Sequence, residues 1–421
     1  MSNLNRPLIR FTQYSDSWKL RPLSELIASV DSGWSPQCDD GSASKGEWGV
    51  LKTTSIQWTG FEPKQNKKLP NTLEPRAKLS LSKNDILVTR AGPNERVGVV
   101  SIVNQDYPML MLSDKIIRLR ANAEVDPSYL ALNLSLKKSN YQIMRKASGL
   151  ATSQTNISQG FLLQTKLNVP ELAEQQKIAS FFSKVDEKIT LLTEKKAKLT
   201  EYKKGVMQQL FDGSFQEQDG KLVFVPPTLR FKADDGSEFP DWEEKALGDV
   251  CQTFSGGTPV SSNKSFYGGD IPFIGSGNIF DLVVEQYITQ DGYNSSSAKM
   301  IEKGDLLYAL YGATSGQVSI SKLSGAINQA VLCIRTNQNK LFLYSLLGFM
   351  KESILSRYLQ GGQGNLSAQI IKKLVICFPS LNEQKKIANF LSTIDQKIDL
   401  ASSELEKAKE WKKGLLQQMF V

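Results

Sequence analysis

The residues that could carry out catalysis in this chain are few and widely spaced. Histidine is absent from all 421 residues, which excludes serine-protease triads, histidine-dependent nucleases and HExxH metalloenzymes. No two cysteines lie at metal-ligand spacing, so we predict free, buried thiols and no metal site. The cysteines are Cys38, Cys251, Cys333 and Cys377.

Motifs for nucleotide-dependent chemistry are also absent from the sequence. It contains no GxxxxGK(S/T) loop for ATP. Its only PP pair, Pro226 and Pro227, lacks the polar and aromatic neighbours of the (N/D)PP(Y/F) motif of amino-methyltransferases. The acids of PDWEEK, residues 240–245, are contiguous and cannot form the separated metal-binding pair of a nuclease. We therefore predict that the chain is not an enzyme and that catalysis comes from partners.

The positive charge of the chain belongs to its first half. The formal net charge is +8, and the residues up to Phe211 hold 30 Lys and Arg against 20 Asp and Glu. The residues after Phe211 hold 21 against 23. A basic excess is typical of proteins with a polyanionic partner, although it is also common in proteins without one.

Length and composition indicate a soluble protein with two domains. The chain is 40% hydrophobic and 22% charged, which is ordinary for globular proteins, and 421 residues suffice for two cores. No apolar run approaches the roughly eighteen residues that a membrane span needs. The opening residues, MSNLNRPLIRF, have no apolar signal core, so we expect a cytoplasmic location.

The elements that must position any binding loops are two copies of one long helix. Residues 174–211 and 383–420 align without a gap at a constant offset (383 − 174 = 209). Apolar residues recur every seven positions in both copies, which predicts amphipathic helices. If the two helices pair antiparallel, Leu192 and Leu199 face the smaller Ala401 and Ala408. The alternative is that each stripe packs on the core of a domain, but the duplication at a constant offset favours a paired-helix spacer. The predicted interface residues are Ile178, Val185, Leu192, Leu199, Val206, Ile387, Ile394, Ala401, Ala408 and Leu415.

The segment before each helix is duplicated as well. LIRF at residues 8–11 recurs as TLRF at 228–231, Trp18 matches Trp242, and KNDILVTRAG recurs as KGDLLYALYG. The loops differ: RAGPNERVG stands against LYGATSGQV, and GLATSQTNIS against LQGGQGNLS. A constant framework beneath different loops is typical of related domains that bind different ligands, although neutral drift would look the same.

Local patterns predict irregular α/β (α+β) material in these domains. In the first domain we predict strands, a helix over residues 127–147, and a strand and turn leading into a helix over 18–30. The predicted strands are residues 85–89, 97–103, 116–120 and 163–169. The polar segment after Phe211 is predicted to be a linker.

The repeated motifs resemble one known family. PxLxEQxKIAxF occurs at Pro170 to Phe181 and at Pro379 to Phe390, in each case after NIS or NLS and before DxKI, (Y/W)KKG and QQxF. This combination resembles the DNA specificity subunits of type I restriction–modification systems, over nearly the whole chain.

The resemblance implies a tandem duplication of two target-recognition domains, separated by two long antiparallel helices that form a coiled-coil spacer. Each domain would read half of an asymmetric bipartite DNA site. The implied boundaries are residues 1–170 and 229–379 for the two domains, 171–211 and 380–421 for the two helices, and 212–228 for the linker.

The resemblance also implies partners. It implies that the helices recruit two methyltransferase (modification) subunits, and that motor-nuclease restriction subunits can add to this core. S-adenosylmethionine and ATP with Mg²⁺ are expected on those partners, and no cofactor is expected on this chain. Helix length would then set the unread gap between the two half-sites.

A DNA reader needs cations for phosphates and donors and acceptors for base edges on protruding loops. In the first half, the predicted DNA-contacting residues are Lys64, Lys67, Lys68, Arg90, Arg96, Ser153, Gln154 and Asn156. In the second half, they are Lys264, Tyr308, Tyr311, Thr314, Ser315 and Gln363. The alternative is a coiled-coil adaptor that organises proteins without binding DNA.

Overall fold

The computed structural model describes residues 7–38, 40–145, 147, 155–218, 221–358 and 365–420. Its contacts divide the chain into two units: Met1–Leu192 with Glu404–Val421, and Thr193–Ser403. The first long helix is Leu172–Phe211 and the second is Leu381–Met419, so each unit contains part of both. The described helices include none with the length and apolar character that a membrane span requires.

Two four-stranded sheets form the domain of the first unit. The first sheet is antiparallel and has the order Val100–Ile102, Ile86–Thr89, Ile116–Ala121, Ile27–Ser32. The second has the order Asn66–Lys68, Gly49–Leu51, Tyr107–Met111, Ser80–Leu81, with one parallel pair in its middle. Shorter strand pairs are Lys19–Pro22 with Lys166–Val169, Ala91–Gly92 with Thr155–Asn156, and Ile56–Gln57 with Gly60–Phe61. The α-helices of this domain are Pro127–Ser135, Lys137–Met144 and Gln159–Leu163.

Most local predictions for this domain are confirmed, and one is wrong. Strands form within all four predicted segments, and the helix predicted over 127–147 is present but interrupted at Leu136, whose backbone is extended. The helix predicted after Trp18 is instead a 3₁₀ turn, Leu23–Glu25, followed by strand Ile27–Ser32. Pairing of this strand with Ile116–Ala121 overrides the local helical pattern.

The domain of the second unit repeats this architecture. One sheet has the order Cys251–Ser255, Val331–Thr336, Leu306–Ala309, Val318–Ile320, and the other Tyr287–Ile288, Tyr267–Ile274, Gly325–Ile327, Lys299–Ile301. Strand Glu243–Ala246 pairs with Val375–Phe378. The α-helices are Leu247–Val250, Gln290–Asn294, Lys340–Tyr358 and Ala368–Lys372. The predicted tandem duplication is therefore confirmed at the level of sheet order.

One glycine pair shows how closely the two domains correspond. The N–H groups of Gly33 and Gly256 donate to the carbonyl oxygens of Ser113 (3.1 Å) and Asn328 (3.2 Å) respectively. A Cβ atom on either glycine would lie 1.7 Å from a backbone carbonyl oxygen, so no other residue fits at these positions. Because each glycine makes the same hydrogen bond within its own domain, Ser113 of the first domain corresponds to Asn328 of the second.

The segment predicted to be a linker contains a hairpin. Its strands are Ser214–Gln218 and Lys221–Val225, and Phe224 stacks on Trp242 with ring centroids 6.1 Å apart. The sequence KLVFV explains why a hairpin forms where a linker was predicted, because β-branched and aromatic residues favour paired strands over an open chain.

The two long helices pair antiparallel within each unit. In the first unit, Leu192 packs with Leu405 and Ala408, and Lys412 forms an ion pair with Asp186 at 2.5 Å. In the second unit, Lys203 forms an ion pair with Asp395 at 2.6 Å. The start of one helix thus meets the end of the other in both units, as predicted.

The residues predicted at the helix interface are all at least half-buried, but several of them also pack against the domains. Leu199 and Leu415 are half-buried and the other eight are buried. Ile178 packs with Trp18 and Tyr129 of its domain, and Val206 shares the second unit's core. The apolar stripe is therefore wider than a simple two-helix seam because it also anchors each domain.

Asp85 and Asp305 occupy the same place in the two repeats, and each binds an arginine of the neighbouring strand. In the second, Arg335 donates to both carboxylate oxygens of Asp305, at 3.1 Å from Nε and 2.7 Å from Nη2. Burial alone would raise the pKa of Asp305, but the Arg335 guanidinium and the Glu302 N–H hold this pKa below its ordinary value. The charged carboxylate therefore stabilises the folded state above the unfolded pKa of about 3.9, and this contribution is lost as pH falls through the folded pKa.

We expect Asp305→Asn to lower the free energy of unfolding by about 1 kcal/mol at pH 7, because the Arg335 side chain is partly exposed. The difference from the parent chain should shrink as pH falls below about 4, where both chains lack the charge. Hydrogen exchange of the Leu306–Ala309 amides from pH 7 to pH 3 measures this, with exposed Asp270→Asn as the control. A difference that does not change with pH would contradict the prediction.

Candidate nucleic-acid interface

In each domain the loop after a buried strand is joined to the segment that contains NIS or NLS. The Ile157 N–H donates to the Arg90 carbonyl at 2.8 Å, and Ala91–Gly92 pairs with Thr155–Asn156. In the second domain the Leu366 N–H donates to the Leu310 carbonyl at 3.1 Å. The loops that differ most between the repeats therefore start from equivalent points of the two frameworks.

The NIS and NLS motifs are mainly structural. Ile157 and Leu366 are buried, and the following serines, Ser158 and Ser367, cap short helices by accepting backbone N–H groups. Asn156 is exposed beside the loop that begins at Arg90. Of this motif in the first domain, the asparagine is thus the side chain available to a ligand.

Arg90 and Arg96 have different environments although they share one loop. Arg90 is half-buried, and its N–H donates to the carbonyl of the exposed Lys115 at 2.9 Å. The Arg96 guanidinium instead donates to the carbonyls of Thr53 (2.8 Å) and Ile56 (3.0 Å). Arg96 therefore holds the Thr53–Ile56 turn in place through one nitrogen of its guanidinium group, and its contact with DNA stays a prediction.

The lysines predicted to bind phosphates are not equivalent. Lys64 and Lys67 are exposed. Lys68 forms an ion pair with Glu47 at 2.6 Å, and its hydrogen bond lowers the pKa of that carboxyl group. Lys68 is thus engaged within the domain, whereas Lys64 and Lys67 remain proposed contacts.

Most predicted contacts in the second domain support its own fold. Tyr308 is fully buried in the core, where burial raises the pKa of its hydroxyl, so the prediction that it contacts DNA is wrong. It lies on strand Leu306–Ala309, all of whose residues are buried. Tyr311 is half-buried against the same core, and burial raises its pKa as well.

The remaining predicted residues divide into three groups. The Thr314 and Ser315 hydroxyls donate to the carbonyls of Ser276 (2.9 Å) and Leu310 (3.1 Å), so they shape their own loop. Lys264 is exposed on a 3₁₀ turn. Ser153, Gln154 and Gln363 lie outside the described residues.

The structure also brings together three lysines that the sequence did not group. Lys52, Lys67 and Lys115 line one cavity of about 270 Å³ in the first domain, which we name the lysine cavity. Lys52 and Lys115 had no signal in the sequence, because they follow short strands that are far apart in the chain. Only the second sheet of this domain makes them neighbours.

Metal-ligating side chains are not clustered within the described ranges. No three His, Cys, Asp or Glu side chains are grouped to hold a metal ion there. None of the four cysteines is in a disulfide bond, as predicted, but only Cys251 and Cys333 are buried, and Cys38 and Cys377 are half-buried. Burial raises the pKa of Cys333 to about 12 and that of Cys377 to about 11, so these thiols stay protonated at neutral pH.

Comparison with known proteins agrees with this architecture. The chain is 40% identical over 165 residues to the EcoEI type I restriction enzyme specificity subunit of Escherichia coli, a match that covers 39% of this chain and 28% of that protein. It is 28% identical over 355 residues to the MjaVIII type I restriction enzyme specificity subunit of Methanocaldococcus jannaschii, covering 80% of this chain and 78% of that protein.

A solved structure has the same fold along the full length. The crystal structure of the S subunit of a type I restriction–modification system from M. genitalium matches with a TM-score of 0.62 at 16% identity, covering 99% of both chains. The family model for the type I restriction modification DNA specificity domain matches residues 18–201 and again residues 240–410. With both repeats matched, this chain belongs to the family of type I restriction–modification DNA specificity subunits.

Proposed function

We propose that this chain is the non-catalytic DNA-reading subunit of a type I restriction–modification complex, and that its two domains read the two halves of an asymmetric bipartite site. The observation that carries the proposal is the pair of equivalent frameworks whose attached loops differ, Arg90–Arg96 in one domain and Leu310–Gln317 in the other. Equivalent frameworks present the loops alike, and different loop residues select different base sequences.

The first domain offers the clearer set of contacts. Arg90, Lys64 and Lys67 supply cations for phosphates, and Asn156 offers both a donor and an acceptor for a base edge. In the second domain, Lys264 is the proposed cation. The larger number of proposed cations in the first domain agrees with the basic excess of the first half of the chain.

The long helices supply the proposed surface for methyltransferase subunits. Two large apolar side chains are exposed at equivalent places in the repeats: Leu191 (58%) matches Leu400 (57%), and Tyr202 (54%) matches Trp411 (52%). A repeated exposed apolar pair is what two copies of one partner would require. We propose two methyltransferase subunits there, with S-adenosylmethionine on them and ATP with Mg²⁺ on restriction subunits.

Binding of duplex DNA by the complex with methyltransferase subunits tests the proposal. We expect affinity that falls steeply with salt and depends on sequence, and mapping of methylated adenines should reveal one bipartite site. Binding that is absent or insensitive to salt in the assembled complex would contradict the proposal and favour an adaptor role.

A further inference from the structure

The lysine cavity has the composition of an anion site. Its walls come from residues 35–38, the end of strand Gly49–Leu51, and the turn from Ser113 to Lys115. Three lysines line it, and none of the described residues that line it is acidic. None of the three lysines forms an ion pair with a carboxylate in the described part of the chain, in contrast to the adjacent Lys68.

The backbone around the three lysines is fixed by the fold. The Lys52 N–H donates to the Gln65 carbonyl at 3.1 Å, and Lys67 lies opposite Val50 in the sheet. The Lys115 carbonyl accepts the Arg90 N–H, and Arg96 braces the turn that follows Lys52. The cavity is therefore held by the same loops that we propose to face DNA.

A buried hydroxyl group at the cavity lacks a partner. Ser113 lines the cavity and is 4% exposed, and within the described residues its Oγ makes no hydrogen bond. A buried polar atom without a partner is rare and costly in folded proteins. An oxygen-rich ligand in the cavity would accept a hydrogen bond from this hydroxyl group.

The second domain provides an internal comparison, because its framework aligns residue by residue. The contacts of Gly33 and Gly256 align Ser113 with Asn328 and hence Lys115 with Ala330. The parallel strand pairs align Val50 with Phe273, which places Gly275 at the position of Lys52. On the neighbouring strand, the Phe273 N–H donates to the Gln286 carbonyl, which places Gln286 at the position of Lys67.

All three lysines of the cavity are therefore replaced by uncharged residues in the second domain. Asn328, which stands in place of Ser113, accepts a hydrogen bond from the Ala330 N–H at 2.9 Å. The unpartnered hydroxyl group and the three cations thus occur together in one domain and are lost together in the other. This joint occurrence points to a ligand rather than to general surface charge.

We infer that the lysine cavity binds one phosphate group of the DNA backbone, so that the first domain grips the duplex more strongly than the second. This inference rests on the proposed function. Ammonium groups and a serine hydroxyl are suitable donors to the non-bridging oxygens of a phosphate. Such a contact adds affinity and sets position, without selecting a base.

The test uses the chain assembled with its methyltransferase subunits and a triple variant, Lys52→Gln, Lys67→Gln and Lys115→Gln. We expect affinity for the specific duplex to fall by about tenfold or more, and the slope of log affinity against log salt to become shallower by about 1. The choice of half-site sequence should not change. The matched control, Lys45→Gln, Lys78→Gln and Lys83→Gln, removes the same charge from exposed positions of the same domain and should leave the affinity within about threefold.

A methylphosphonate scan of the duplex identifies the phosphate itself. A methylphosphonate at one phosphate of one half-site should lower the affinity of the parent complex for the duplex about tenfold. The same substitution should not lower the affinity of the triple variant further. Ser113→Ala, which changes no charge, should weaken binding at least about threefold, with the loss confined to the same linkage.

The outcomes separate the inference from the proposed function. If the parent complex does not bind duplex DNA, the proposed function fails. If it binds and the triple variant matches its control, or no single linkage shows the expected coupling, the inference about the cavity is wrong. NMR of the chain with inorganic phosphate tests one further outcome. If the parent chain binds phosphate and the triple variant does not, while both bind the duplex equally well, the cavity is a site for a free anion and the inference is overturned.

Discussion

Replacing Arg10 by alanine is expected to lower the free energy of unfolding of the first unit by about 3–5 kcal/mol, one of the two largest effects that we predict for a single substitution. Arg10 belongs to LIRF, and its guanidinium donates to both carboxylate oxygens of Glu174 at 2.7 Å. The Glu174 side chain is 0% exposed, and the Arg10 guanidinium contacts both of its oxygens. Its removal leaves a charge buried without a partner.

The second unit contains the same pair with one more donor. Arg230 contacts the buried Glu383 at 3.0 and 2.7 Å, and the Trp242 Nε1–H also donates to this carboxylate at 3.3 Å. We therefore expect Arg230→Ala to cost less than Arg10→Ala. The expected cost is smaller because the Trp242 Nε1–H still donates to Glu383 after Arg230 is removed.

Hydrogen exchange of the full chain measures both losses, because amides of each unit report on their own unit and those of the other serve as a reference. Arg21→Ala is the matched control. Its ion-pair partners, Glu25 and Glu124, have side chains that are 55% and 67% exposed, so its expected cost is about 1 kcal/mol or less. Equal costs for Arg10 and Arg21 would contradict the prediction.

A double variant tests the physical reason. Adding Glu174→Gln to Arg10→Ala removes the buried charge, and the double variant should be more stable than Arg10→Ala alone. If it is less stable, the loss from Arg10 comes from packing of its aliphatic part and not from the unpaired carboxylate.

Replacing Phe420 by alanine is expected to lower the free energy of unfolding of the first unit by a similar amount, about 3–5 kcal/mol. Phe420 follows the second long helix and is 9% exposed. Its ring packs on three aromatic rings of its unit: Tyr129 at 5.6 Å, Trp18 at 6.0 Å and Phe182 at 6.3 Å between centroids. Truncation would leave a cavity between the domain and both long helices of this unit.

An exposed aromatic residue provides the control for Phe420→Ala. Trp411 is also aromatic and lies on the helix that Phe420 follows, but it is 52% exposed, so Trp411→Ala should cost about 1 kcal/mol or less. Phe420→Leu keeps most of the volume and should cost about 1.5 kcal/mol or less. Hydrogen exchange of the Ile178–Phe182 amides distinguishes the three variants, and a cost of Phe420→Ala no larger than that of Trp411→Ala would refute the packing argument.

These residues explain why the motif PxLxEQ is repeated. Glu174 and Glu383 hold the arginines of LIRF and TLRF, and Phe181 and Phe390 pack edge-on against the phenylalanines of the same segments. Gln175 accepts the Asp126 N–H at 3.0 Å, and Gln384 accepts the Asn339 N–H at 3.0 Å. The motif that identifies the family is thus structural, since it fastens each domain to the start of a long helix.

The sequence by itself determined the repeated architecture and the two long amphipathic helices, because periodicity and a constant offset are properties of the chain alone. The antiparallel direction of the helices was implied by the family resemblance. It could not determine which loop side chains are available to DNA. Tyr308 and Arg90 both lie within the KxDxLxxxxG pattern, yet one is fully buried and the other half-buried.

Only the tertiary structure decided which of these side chains are exposed, and the same is true of the lysines of the lysine cavity. Whether a side chain meets solvent depends on which strands and turns pack around it, and those neighbours are distant in sequence. Lys67 lies on one strand, and Lys52 and Lys115 follow two others that the same sheet brings together. The Arg96 side chain is held against the domain because two carbonyl groups, 40 and 43 residues away in the sequence, accept hydrogen bonds from its guanidinium group.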